Sequence, residues 1–138
     1  MISHWDDART WRGEKGHIAG TWTSLTGRTS RTVGAKRIQV DAGMWSTPLH
    51  LEGAEEEIFY VLGGSGVSVQ WEGEVLRPPA TGVAHAFKGG SGGLTLLMYG
   101  PREPGEVCYY PRSGKVYFIG LELITRVGEQ LDYWDGED

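Results

Sequence analysis

Three features are scarce in this sequence of 138 residues: cysteine, basic charge and long apolar runs. The single cysteine, Cys108, cannot form an internal disulfide, so we expect a reducing compartment; with no neighbouring histidine or second cysteine, it is not expected to be a catalytic thiol. The 13 basic and 18 acidic residues leave a net charge of −5, which argues against a nucleic-acid partner. No apolar run is long enough to span a membrane, and the polar start MISHWDDARTW does not resemble a signal peptide. We therefore predict a cytoplasmic protein without a nucleic-acid or membrane partner.

Helical periodicity is also scarce, whereas glycine is abundant, with 22 residues among 138. Alternating or continuous apolar segments are separated by glycines such as Gly63-Gly64 and Gly89-Gly90, a pattern typical of short strands joined by turns. The expected strands include Arg37–Asp41, Ile58–Leu62, Val67–Trp71 and Leu94–Tyr99. This pattern predicts an all-β domain, either a sandwich or a barrel.

The two ends of the chain are harder to interpret. Residues 1–34 show no clear element, and we expect an N-terminal arm laid over the domain or over a partner subunit. Residues 35–138 are expected to form one domain, since a chain of this length suits a single core. In its C-terminal tail, Tyr133 and Trp134 are expected to pack on the body.

One stretch, PLHLEGAEEEIFYVLGGSG at positions 48–66, concentrates polar chemistry in front of an apolar strand. On a strand, His50 and Glu52 would lie on the same face, because successive side chains point to opposite sides. A tight connection would then bring Glu57 back beside them. Farther along, His85 stands in an apolar strand and needs a polar partner, which these carboxylates could supply. The sequence therefore predicts a cluster of two histidines and two or more carboxylates, with Glu55 and Glu56 as a solvated turn.

The sequence resembles the cupin superfamily, specifically small single-domain prokaryotic cupins. The stretch GMWSTPLHLEGAEEEIFYVLGG, starting at Gly43, is similar to the first cupin motif, G-x5-H-x-H-x3,4-E-x6-G. The stretch GEVLRPPATGVAHAFKG, starting at Gly73, is similar to the second, G-x5-P-x-G-x2-H-x3-N. The resemblance implies a double-stranded β-helix, or jelly-roll barrel, and a homodimer. It also implies that His50, Glu57 and His85 hold a divalent metal, with Mn, Fe, Ni and Zn all open.

Two departures from the motifs bear on this site. Glu52 stands where the family pattern has its second histidine, and Gly89 stands at the terminal asparagine position. Glu52 could be a fourth metal ligand, a free general base, or a sign that the metal has been lost. As a ligand it would leave a centre of two histidines and two glutamates formally neutral, and therefore a weaker Lewis acid.

The resemblance implies a metal-dependent enzyme acting on a small molecule, with dioxygenase, isomerase and lyase chemistry equally open. Glu52 is the candidate catalytic residue. The alternative is a metal-free binding protein whose barrel holds a small ligand. Five large side chains are candidates for lining the pocket: Trp45, Phe59, Phe87, Met98 and Tyr99.

Overall fold

The computed structural model describes residues 4–27, 30–72, 83–128 and 131–136. Within these ranges the chain forms eight strands: β1 (Arg9–Lys15), β2 (Ile18–Ser24), β3 (Val33–Val40), β4 (Ile58–Glu72), β5 (Val83–Pro101), β6 (Val107–Tyr110), β7 (Lys115–Phe118) and β8 (Leu123–Arg126). Two single 3₁₀ turns, Trp5–Asp7 and Ile119–Leu121, are the helical elements of the described residues. No helix among them is long and apolar enough to cross a bilayer. The all-β prediction is confirmed.

The strands form two antiparallel sheets. One has the order β1-β2-β3-β5-β4 and the other the order β6-β7-β8. The segment between β3 and β4 connects them, because His50 bridges to His85 on β5 and the adjacent Leu51 bridges to Tyr109 on β6. This arrangement is that of a jelly roll, as the resemblance implied. The predicted homodimer stays a prediction.

Strands β4 and β5 are unusually long because they continue through glycines that the sequence analysis interpreted as turns. Their pairing shifts register between Val61 and Gly63 and again between Gly64 and Gly66, so the ribbon bends there without ending. Gly64 has φ +80°, and a Cβ on it would meet the carbonyl oxygen of Gly93 on the facing strand. The interpretation of Gly63 to Gly66 as a turn is therefore wrong: these glycines lie at bends within a strand.

Two apolar clusters lie along this bent ribbon. The first comprises Ile38, Val40, Leu94, Leu96 and Met98, with Trp22, Phe59 and Phe87 packed against it. The second comprises Leu49, Leu51, Ala84 and Ala86, with Trp45, Val69 and Tyr109 against it. In both clusters every second residue of β5 is buried, as expected for a strand, whose successive side chains point to opposite faces.

The N-terminal segment is more ordered than expected. β1 and β2 form a hairpin whose facing residues include Trp11 and Trp22, with stacked rings 6.4 Å apart, and β2 pairs with β3. The prediction that this segment has no clear element is therefore wrong. None of the β1 residues is buried, so its sequence lacks the apolar alternation that marks a strand.

At the other end, the alternating segment at Lys115–Phe118 does form a strand. Tyr133 and Trp134 are 83% and 72% exposed and pack edge to face on each other. In this single chain they do not pack on the body, in contrast to the expectation. The division at residue 34 stays a prediction.

Candidate functional site

His50 and His85 are direct neighbours across the bridge that joins the two sheets. Each donates its backbone N–H to the carbonyl of the other, at 3.2 Å from His50 and 2.7 Å from His85. Residues opposed in this way point their side chains to the same face of the sheet, and the two imidazole rings lie 5.0 Å apart. The backbone pairing itself therefore brings together two histidines separated by 35 positions in the sequence.

Two glutamates complete the cluster. Glu52 lies on the same face as His50, with its Oε1 2.9 Å from His50 Nε2 and its Oε2 3.8 Å from His85 Nδ1. Glu57, immediately before β4, places its Oε2 3.1 Å from His85 Nε2. One ligand atom from each of the four residues lies within 4.8 Å of all the others. The structure thus brings together all four residues that the sequence singled out as metal-ligand candidates.

The ring of His50 is held from two sides. Its Nδ1 lies 2.8 Å from the carbonyl oxygen of Pro48, to which it can only donate, so Nε2 is the nitrogen presented to the cluster. The ring of Tyr110 stacks on the imidazole at 5.7 Å. Burial lowers the pKa of His50, but the hydrogen bond and charge of Glu52 outweigh it, and the net pKa is raised. In the absence of a metal, Glu52 therefore favours the protonated form of His50.

The donor set fits a divalent metal ion. Bonds of about 2.0–2.2 Å to nitrogen and oxygen keep ligand atoms within about 4.4 Å of one another, so a spread of 4.8 Å requires adjustments of only a few tenths of an ångström. A hydrogen bond from the second ring nitrogen of a ligating histidine, as in His50 to Pro48, is characteristic of metal sites. These four residues could therefore hold a metal ion, with two neutral imidazoles and two carboxylates making its centre formally neutral.

A buried carboxylate that the sequence analysis did not single out holds the turn between the site glutamates. Glu106 is 1% exposed and accepts backbone N–H groups from Gly53 at 2.5 Å, Ala54 at 2.8 Å and Glu55 at 2.6 Å. In return, the Glu55 carboxylate accepts the backbone N–H of Glu103 at 2.7 Å. We call this reciprocal contact of residues 53–55 with residues 103–106 the carboxylate clasp. No local sequence signal could reveal it, since its two halves lie about 50 positions apart.

The clasp changes the interpretation of the acidic turn. Glu56 is exposed, as expected, but Glu55 is half-buried and hydrogen-bonded, so its assignment to a solvated turn is wrong. Burial raises the pKa of Glu55, and the neighbouring carboxylates add to this effect. The same surroundings act on Cys108: burial, then the charges of the glutamates, raise its pKa to about 12. A thiol with so high a pKa is a poor nucleophile near neutral pH.

A cavity of about 530 Å³ opens beside the cluster, a size that suits a small ligand. Its lining residues are Leu51, Glu52, Gly53, Ala54, Glu55, Glu56, Glu57, Phe59, Ser68, Gln70, Val83, His85 and Phe87. Phe59 and Phe87 contact each other at 4.5 Å, and Phe59 lies edge-on to His85 at 5.7 Å. These two aromatic residues thus form an apolar wall next to the metal-ligand candidates.

The other three pocket candidates lie elsewhere. Met98 is buried in the first apolar cluster, and Trp45 packs on the second. Tyr99 is 46% exposed on the opposite face of β5, because it alternates with the inward Met98. A continuous apolar run such as Leu94–Tyr99 cannot show which residues face inward, and this is why Tyr99 was misplaced.

Positions 73–82 of the second motif lie outside the described residues, whereas its C-terminal part, which includes His85 and Gly89, is described. His85 lies in the cluster. Gly89, at the asparagine position, has no room for any side chain, because a Cβ there would lie 2.5 Å from the carbonyl oxygen of Asp41. Close backbone packing therefore accounts for this departure from the family pattern.

No family model matches the chain, and no curated protein matches it significantly. Several solved structures are similar to it, including the following three. A candidate sugar phosphate isomerase from Acidithiobacillus ferrooxidans has 26% identity and a TM-score of 0.65, with 83% of each chain covered. A sugar phosphate isomerase of the cupin superfamily from Silicibacter pomeroyi has 21% identity and a TM-score of 0.69 over 96% of this chain and 97% of the other. A polyketide cyclase from Streptomyces resistomycificus has 24% identity and a TM-score of 0.56 over 75% and 80%. The jelly-roll arrangement and these likenesses together show that the chain has the fold of small cupins, to which its first motif is similar.

Proposed function

We propose that this protein is a metal-dependent enzyme acting on a small oxygen-bearing molecule, with His50, Glu52, Glu57 and His85 as ligands of one divalent ion. The observation that carries the proposal is the convergence of these four side chains within 4.8 Å beside a cavity of about 530 Å³. A bound divalent ion would act as a Lewis acid towards a substrate oxygen in that cavity. Among dioxygenase, isomerase and lyase chemistry, we favour isomerisation. It is supported by the 26% identical neighbour, which is described as a candidate sugar phosphate isomerase.

The residues of the site have separate tasks in this proposal. His50 is oriented by Pro48 and Tyr110, so that its Nε2 is presented to the cluster. Glu52 contacts His50 through Oε1, while its Oε2 is 3.8 Å from His85, beyond hydrogen-bonding distance. With Oε1 directed to the ion, we assign Oε2 the role of taking and returning a substrate proton, as an isomerisation through an enediol requires. Phe59 and Phe87 exclude water from one side.

The alternative, a metal-free binding protein, also has an observation in its favour. Each histidine is within hydrogen-bonding distance of one glutamate, His50 of Glu52 and His85 of Glu57. The four groups can therefore satisfy one another as two hydrogen-bonded histidine–glutamate pairs without an ion.

Metal analysis separates the two functions. Protein purified without chelators or metal-affinity columns should contain about one equivalent of a divalent transition metal per chain. Metal-stripped protein should be stabilised by about 2.7 kcal/mol when the ion is returned at 100 times its dissociation constant, raising the melting temperature by several degrees. Metal-free protein whose melting temperature does not respond to Mn, Fe, Ni or Zn would support the binding protein.

Replacing Glu52 with histidine tests whether Glu52 is a ligand. If it is, Glu52→His should retain the metal and strengthen binding of Zn or Ni relative to Mn by about tenfold, since imidazole is a softer ligand than carboxylate. Competitive metal titration of the stripped protein measures the ratio of the Zn or Ni affinity to the Mn affinity. Glu103→His, which adds a histidine at an exposed position, is the control. An unchanged selectivity in Glu52→His would mean that Glu52 does not touch the ion.

A further inference from the structure

The cavity beside the metal-ligand cluster has an unusual charge. Four glutamates line it, Glu52, Glu55, Glu56 and Glu57, and no lysine or arginine is among the lining residues that the structure describes. A divalent ion with two neutral histidines would offset only two of these four negative charges. The described lining itself thus carries more negative than positive charge even when the proposed centre is loaded.

Two described cations, Lys36 and Arg102, lie close to this cavity but do not line it. Lys36 and Arg102 line a separate cavity of about 70 Å³ that shares Glu55 and Glu57 with the main one. The Arg102 guanidinium is occupied by three oxygen atoms on the 26–30 segment, at 2.8–3.0 Å. Lys115 lies over the ring of Tyr110, which stacks on His50, and is not among the lining residues.

A phosphorylated substrate does not suit such a cavity. A phosphate monoester carries a charge of about −2 at neutral pH, and proteins bind it with arginine, lysine or the N-terminus of a helix. The described lining offers none of these groups, and the described helical elements are single 3₁₀ turns away from the cavity. Next to four carboxylates, the phosphate would be repelled.

The rest of the lining suits a neutral molecule with several hydroxyl groups. Ser68 and Gln70 face Phe87 and His85 in the register of β4 and β5, so a hydroxyl and an amide stand next to the site rings. Both groups donate and accept hydrogen bonds without charge. Across from them, the carboxylates accept hydrogen bonds from hydroxyl groups, and the paired rings of Phe59 and Phe87 offer a surface for an apolar face.

We infer that the site takes a neutral polyhydroxylated substrate, such as an unphosphorylated sugar, and excludes its phosphorylated form. This inference deepens the proposed function and rests on it, since the metal centre is what would contact the substrate oxygen. The substrate inferred for this chain therefore differs from the sugar phosphate in the description of its 26% identical neighbour.

The test compares matched pairs of probes: glucose with glucose 6-phosphate, fructose with fructose 6-phosphate, and ribose with ribose 5-phosphate. Binding is measured by calorimetry on metal-loaded and metal-stripped protein, with metal content checked afterwards because phosphates can remove ions. We expect at least one neutral sugar to bind at least about tenfold more tightly than its phosphate. Raising ionic strength should reduce this ratio, because salt screens the repulsion between exposed charges.

Glu56→Gln removes one negative charge from the lining while keeping the shape of the side chain. It should reduce the ratio of neutral to phosphorylated binding by about threefold, whereas Glu103→Gln, outside the cavity, should leave it unchanged. The inference is overturned if metal-loaded protein binds the phosphates as tightly as the sugars, or binds neither. If the protein takes up no metal but still prefers neutral sugars, the metal proposal fails while the exclusion of phosphates stands.

Discussion

His85→Ala protein is expected to bind a divalent ion at least about 100-fold more weakly than the unchanged protein, because loss of a ligand exceeds the effect of losing an outer-shell contact. His85 is the one histidine that contacts both site glutamates, at 3.8 Å from Glu52 and 3.1 Å from Glu57. Without it, the two carboxylates face each other with His50 as the one remaining imidazole of the cluster, and their repulsion further disfavours a compact site. Metal titration of the stripped protein, followed by calorimetry or melting temperature, measures the change.

A suitable control is His4→Ala. His4 is also a histidine but lies on the surface, with a side chain 68% exposed, far along the chain from the cluster. It should bind metal as the unchanged protein does, which separates the site from adventitious binding to surface histidines. If His85→Ala kept its affinity, the four side chains would be a hydrogen-bonded group and the metal proposal would fail.

Glu106→Ala is expected to destabilise the fold by about 3–5 kcal/mol and to lower the melting temperature by about 10 °C or more. The substitution leaves three backbone N–H groups of residues 53–55 without their acceptor in a buried place, and each such loss costs about 1–3 kcal/mol. Because this turn joins Glu52 to Glu57, metal binding by the protein that remains folded should weaken as well. Thermal unfolding and metal titration give the two readouts.

Two further variants test whether loss of the carboxylate clasp causes the expected loss of stability. Glu106→Gln keeps one acceptor oxygen and should lose less stability than Glu106→Ala. Glu103→Ala removes an exposed side chain from the same segment but keeps the backbone N–H that Glu55 accepts, and should change little. If Glu106→Ala melted at the same temperature as the unchanged protein, other contacts would hold the turn. The clasp would then contribute nothing measurable to the stability of the fold.

His85 and Glu106 differ in how readily the sequence alone could identify them. His85 could be singled out because a histidine in an apolar strand needs a partner and because it fits the second cupin motif. Glu106 could not, since no periodicity and no motif marks either glutamate of the segment REPGEV. Its importance comes from three N–H groups that lie more than 50 positions earlier.

The hairpin at the N-terminus shows the same limit. β1 exposes side chains on both of its faces, so its residues follow no apolar pattern, and its register with β2 is what makes it a strand. The glycines of β4 and β5 were misinterpreted for a related reason. Glycine permits both a turn and a bend within a strand, and the facing strand decides between them.

The sequence by itself determined the all-β class, the shared face of His50 and Glu52 and the four candidate metal ligands, because strand periodicity and short motifs are local properties. The tertiary structure alone decided that His85 lies opposite His50, that Glu106 holds the turn, and that Tyr99 faces away from the cavity. These depend on which strands pair and in what register, and pairing is settled by burial and hydrogen bonding across the whole fold.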